Sequence, residues 1–161
     1  MYDTILIAVA LQDWKHYSAH ALAVREVAAS IARGTMHRLH ALSVYTYDNL
    51  DASGLPADLA TRHREDMMHR TDDIMGRKMD EYITPLKEEG IEVAPLLRVG
   101  NPRQEIVETA TTLKADLLLI GSHSKRGLFN AVLGGTAQHV SRHAPSPVVL
   151  VSPQNQEVRV D

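Results

Sequence analysis

Two kinds of apolar pattern alternate along this chain. The first, Ile5–Ala10 (ILIAVA), is a near-continuous apolar run of the sort a parallel strand shows when both its faces are buried. From Tyr17 to Arg33 the apolar positions Leu22, Val27, Ala28 and Ile31 return at helical spacing, and Gly34 stands where a helix C-cap belongs. A second strand is read at Leu39–Tyr47, followed by a polar, turn-rich segment from Tyr47 to Ala57, the longest irregular stretch. A long helix comes next, Ala57–Glu89, with Pro56 at its entry and Gly90 at its end. Met67, Ile74, Met75, Tyr82, Ile83 and Leu86 run along one of its faces, and Pro85, which has no N–H to donate, is expected to end or kink it. Ile91–Val99 is the third strand, and Pro95 confines it to a sheet edge. After the turn Gly100-Asn101-Pro102, Pro102 opens a helix that reaches Leu113; Asp116–Ile120 is strand four, Thr136–His143 a helix and Pro147–Val151 strand five. This alternation predicts an α/β fold: one doubly wound, five-stranded parallel sheet of the Rossmann-like type with helices on both faces. Ligands are then expected at the strand carboxyl ends, near the point where the strand order reverses.

Composition narrows the class without changing the fold. With 161 residues, 44% of them hydrophobic and 23% charged, the chain suits one soluble domain with a real core. Its 17 basic and 20 acidic residues give a net charge of −3, which argues against nucleic acid or an anionic membrane as partner. There is no cysteine, hence no disulfide, thiolate metal site or cysteine nucleophile. The opening MYDTILIAVALQDW has no basic leader, and its apolar run from Ile5 to Leu11 is too short to cross a membrane, so it reads as a first strand and not as a signal peptide. A cytoplasmic protein is expected, its domain covering residues 1–152 and a polar tail covering 153–161.

The chemistry concentrates between Ala115 and Val151. A strand runs into a loop carrying Gly121, Ser122, Ser124 and Gly127, and Gly134-Gly135 then open a helix with Thr136. Small residues after a strand, followed by glycines at a helix start, leave backbone N–H groups and the positive end of the helix dipole free for an anion. A phosphate-bearing ligand, and a nucleotide in particular, is the expectation.

The wider stretch VGNPRQEIVETATTLKADLLLIGSHS (99–124) and the closing APSPVVLVSP (144–153) resemble the universal stress protein family over nearly the whole chain. That likeness implies a fold of the adenine-nucleotide α-hydrolase-like kind. The family's nucleotide-binding members carry G-x2-G-x9-G-[S/T]. Here Gly121 is the first glycine, Ser124 takes the second position, Lys125 to Leu133 fill the spacer, Gly134 is the third glycine, and Gly135 precedes the hydroxyl residue Thr136. Two positions therefore depart from the pattern. A third departure follows strand one, where the family's sugar-facing aspartate falls on Ala10 and Asp13 lies further along a longer loop, LQDWKHY.

The resemblance implies an adenine nucleotide, ATP or AMP, with any divalent cation carried by its phosphates. The base would lie against Val44 and Ile120, and the sugar near Ala10 or Asp13. The phosphates would meet the amides of Gly121, His123, Ser124, Lys125 and Arg126 and those of Gly134, Gly135 and Thr136. It also implies a homodimer paired through the last strand, Val148, Val149, Leu150 and Val151, and an unknown regulatory protein partner.

Other residues carry competing readings. Lys125 and Arg126 either supply charge to phosphate oxygens or form a solvated turn. His16/His20 and His139/His143 have the i,i+4 spacing of a metal pair but no third ligand nearby in sequence, so surface histidines are the plainer reading and no metal site is expected. Met67, Met68, Met75 and Met79 read as core or interface filler. No catalytic residue is assigned, because the motif fixes no carboxylate as base and no G-x-S-x-G elbow occurs. Four readings compete with a nucleotide-binding regulator. A family member acting through protein contacts alone, or a slow nucleotide hydrolase, fits the same pattern. An adenylating enzyme would need glycine or serine in the loop after strand one, and ALQDWKH has neither; a phospho-acceptor receiver would need paired acids there, and only Asp13 is present.

Overall fold

The elements follow the order β1 (Thr4–Ala8), α1 (Ala19–Ala32), β2 (Arg38–Tyr45), α2 (Ala57–Glu88), β3 (Val93–Val99), α3 (Pro102–Leu113), β4 (Leu117–Gly121), β5 (Lys125–Gly127), β6 (Asn130–Val132), α4 (Gly135–His143) and β7 (Val148–Val151). This is a computed structural model that describes residues 2–12, 17–48, 50–122, 125–127, 130–132 and 134–153, with 125–127 and 130–132 described in their backbone only.

Five strands form one parallel sheet in the order β3-β2-β1-β4-β7. The strands β1 and β4 are central because their sequences are apolar on both faces: Ile5, Leu6, Ile7, Leu118 and Leu119 are fully buried. Alternate residues go to opposite layers. Ile5, Ile7, Leu117 and Leu119 pack under α1 and α2, whereas Leu6, Ala8, Leu118 and Ile120 pack under α3 and α4. Pro95 lies on β3, an edge strand, as its missing N–H requires. At the start of β4 the Asp116 carboxylate accepts from the backbone N–H groups of Asp3 and Thr4 at 3.1 and 2.9 Å, which fixes the β1–β4 register.

Several element limits and faces differ from the sequence reading. On α1 the buried face is Ala21, Val24, Ala28, Ala29 and Ala32, with Val27 and Ile31 packed against the core at its side, while Leu22 is exposed. Small side chains let α1 close on its neighbours, and the Tyr82 hydroxyl donates to the Ala21 carbonyl at 2.7 Å. On α2 Ile74 is exposed, and the helix runs through Pro85 to Glu88. Burial of Tyr82, Ile83 and Leu86 on either side of the proline offsets the lost hydrogen bond. The helix ends where Gly90, at φ 79°, donates to Lys87, and Ile91 donates to Leu86. Those paired bonds take Ile91 into the helix cap, so β3 starts at Val93. Past the end of β2, Tyr47 joins Tyr45 in donating to Asp72 of α2, at 2.8 and 2.6 Å, and leaves the ladder to do so. The last difference lies after β4. Lys125 and Arg126, read as loop, form β5, which pairs antiparallel with β6 in a short hairpin.

Candidate functional site

The chain lays down β1, β2 and β3 in one direction and then crosses to β4 and β7 on the other side of β1. The reversal opens a crevice at the carboxyl ends of β1 and β4. There Val9 and Ala10 leave the sheet, and Gly121 ends β4, so small side chains bound a cavity of about 300 Å³. That volume lies at the lower end of the range for small-molecule sites. Its floor is apolar, formed by Ala8, Leu42, Val44, Ile106 and Ile120. Among the described residues no carboxylate lines it.

Three helices point their N-termini into this space. Ser18 caps α1, its Oγ accepting from the Ala21 N–H at 3.1 Å, and Asn101 caps α3, its Oδ1 accepting from the Arg103 N–H at 2.9 Å. The third helix, α4, is capped by Gly134 with no side-chain hydrogen bond and has no acid in its first turn. Among the described residues its first amides therefore have no side-chain acceptor, and no acid in its first turn offsets the positive end of its dipole. Backbone approach is close at two glycines. A Cβ built on Gly121 stands 3.0 Å from the Cβ of His20, and one built on Gly135 collides with the Arg103 guanidinium, whose Cζ lies 3.4 Å away. The site therefore offers an apolar floor at one end and an uncapped helix start beside a cation at the other.

Seven residues singled out in the sequence meet on this cavity: Ala10, Val44, Ile120, Gly121, Gly134, Gly135 and Thr136. Asp13, His123 and Ser124 lie outside the described residues. Lys125 and Arg126 stand on β5, where an antiparallel ladder commits part of the backbone to β6 and leaves fewer amides than a loop would. Sequence reasoning missed Ser18, His20, Val24 and Ile106 as cavity residues. Ser18 carried a signal, being an N-cap residue just ahead of a helix. His20 was weighed only as half of a metal pair, whose other half, His16, lies outside the described residues.

The second histidine pair has a helical role. The rings of His139 and His143 stack at 4.1 Å, and His143 Nδ1 donates to the His139 carbonyl at 2.8 Å. Desolvation, then the neighbouring His143 and Arg103, hold His139 below the usual histidine range. Among the described residues no three His, Asp or Glu side chains are grouped to hold a metal.

Comparison with known proteins agrees with this architecture. A universal stress protein of Methanocaldococcus jannaschii is 32% identical over 78 residues, and the match spans about half, 48%, of each chain. Universal stress protein G of Escherichia coli O157:H7 is 29% identical over 152 residues, 94% of this chain and 99% of its own. The solved structure of the M. jannaschii protein superposes with a TM-score of 0.74 at 22% identity, covering 96% of this chain and 99% of that one. A universal stress protein in complex with cAMP gives a TM-score of 0.66 at 20% identity, with 95% and 98% covered. One from Archaeoglobus fulgidus in complex with dAMP gives 0.56 at 22%, with 93% and 98% covered. These likenesses show a shared fold. The family model described as the Universal stress protein family matches residues 1–152, and the chain belongs to that family.

Proposed function

We propose that this chain is a regulatory module that binds an adenine nucleotide at the carboxyl ends of β1, β2 and β4 and works as a homodimer. One observation carries the reading: an apolar slot and an uncapped helix start face each other across a single cavity. A purine suits the first, and phosphates suit the second. The base then lies over Val44 and Ile120, and the phosphates reach Gly134, Gly135 and Thr136. Fold relatives solved with cAMP and dAMP support the ligand class. Backbone amides and helix dipoles hold a ground-state phosphate but supply no base, so binding without appreciable turnover is the expected behaviour.

The dimer reading rests on β7. It is the outer strand of the sheet, and Val149 and Leu150 are 37% and 39% exposed on it. An apolar edge of this kind invites a second strand, and two-fold pairing closes it.

The deciding experiment is denaturation of natively purified protein followed by chromatography of the released small molecules, together with calorimetric titration of the stripped chain. Adenine nucleotide in the supernatant, or saturable binding of ATP or AMP, is the expected result. No release and no heat at millimolar nucleotide would overturn it and leave the family members that act through protein contacts alone.

A further inference from the structure

We infer that Arg103 makes this cavity choose among adenine nucleotides by the charge on their phosphates, favouring ATP over AMP and AMP over the singly charged cyclic monophosphate. The inference rests on the nucleotide reading above and adds to it a residue from a different helix. Arg103 is the second residue of α3, its backbone N–H donates to Asn101 Oδ1 at 2.9 Å, and it follows Pro102, which lines the cavity, so the exposed Arg103 stands at the cavity's rim. Its guanidinium lies against Gly135, filling the space that any side chain at 135 would occupy. Gly135 stands where a serine or threonine is expected after the third glycine, so the missing hydroxyl is replaced in space by a charged donor.

The electrostatics of this placement suit an anion. An exposed guanidinium beside the positive end of an uncapped helix brings two positive features together; water screens them from each other, and a phosphate between them gains from both. No side chain supplies the anion: α4 has no acid in its first turn, and among the described residues Arg103 makes no ion pair. Glu105, the acid in the first turn of α3, folds back over Gly100, its Oε1 3.1 Å from that residue's Cβ position. A phosphate chain between Arg103 and the Gly134–Thr136 amides satisfies both, and the guanidinium fork matches two phosphate oxygens at once. A terminal phosphate monoester carries about two negative charges near neutral pH, a cyclic diester carries one, and a triphosphate carries more than either. The gain from Arg103 rises in that order.

The test titrates the full chain, Arg103→Gln and Arg103→Lys with ATP, AMP and cAMP at low and high salt. Wild type should rank ATP above AMP above cAMP, with ATP affinity falling more steeply with salt than cAMP affinity. Arg103→Gln should lose about tenfold or more in ATP affinity, the worth of a charge-assisted contact, and little in cAMP affinity. Arg103→Lys should recover part of the ATP affinity, and the unliganded melting temperature should not move in either variant. An unchanged ATP affinity in Arg103→Gln, or equal losses for ATP and cAMP, would overturn the inference and leave the nucleotide reading standing. Wild type that binds none of the three would overturn both.

Discussion

His20 and Gly121 approach each other closely enough that a side chain at 121 would force its neighbour to give way: the Cβ position of Gly121 is 3.0 Å from the Cβ of His20. The atom in the way is next to the backbone of α1, so it cannot swing aside. Gly121→Ala is expected to displace α1 from the end of β4 and to destabilise the fold by about 1–3 kcal/mol, the usual cost of overpacking. Urea denaturation measures the loss. Deleting the opposing Cβ with His20→Gly should recover part of it in a double-mutant cycle. Additive effects in that cycle would show that the contact is not the cause.

Gly134 and Thr136 separate phosphate binding from folding. Gly134 has φ −56°, a conformation open to any residue, so Gly134→Val should fold normally. Its branched side chain would project where an anion must approach the start of α4, and nucleotide binding should be lost. Thr136→Ala should weaken binding severalfold, about 1 kcal/mol for one neutral hydrogen bond. Calorimetry with ATP and AMP reads both. Binding that survives Gly134→Val would place the phosphates elsewhere.

Val149 is the position at which to test the sheet edge. An aspartate there puts a charge into the apolar strip of β7, and two-fold pairing would bring two such charges close together. Sedimentation of Val149→Asp at tens of micromolar is expected to show a monomer where wild type shows a dimer. A wild-type monomer at that concentration, or a variant dimer of unchanged strength, would remove β7 as the interface.

The fold was legible in the sequence where burial is two-sided. Runs such as Ile5–Ile7 and Leu117–Ile120 have no polar face, the pattern that a short parallel strand buried on both sides requires. On α1 the pattern placed Val27, Ala28 and Ile31 on the core side, as the packing does, but passed over Ala21, Ala29 and Ala32, because alanine is weakly apolar in a pattern, yet its small size is what lets the helix approach the sheet. Limits at Ile91 and Tyr47 shifted because caps and a tyrosine–aspartate contact compete with strand pairing. The β5–β6 hairpin was hidden within a motif spacer. In the cavity, the glycines were visible from their spacing along one segment. His20 and Arg103 were not, because each reaches its glycine from another helix, and only packing brings them together.

His40 provides the acid-side prediction. It lies on β2 with its Nδ1 buried and, among the described residues, without a hydrogen-bond partner, and desolvation, reinforced by Arg38, holds it below the usual histidine range. The folded pKa therefore lies under the unfolded value of about 6.5. Above that value both states are neutral at this residue, and no stability is lost. As pH falls below it, the unfolded chain takes up a proton that the folded chain resists, so stability declines until pH passes the lowered folded pKa. His40→Leu removes this titration and keeps an apolar group on the strand. Melting temperatures of wild type and His40→Leu should run parallel above pH 7 and separate below it, wild type falling faster. Arg38→Gln removes the second cause and should shift the wild-type decline to a shallower course, with the His40 imidazole titrating at higher pH by NMR. Parallel curves down to pH 5 would show that His40 keeps its ordinary affinity for a proton in the folded chain.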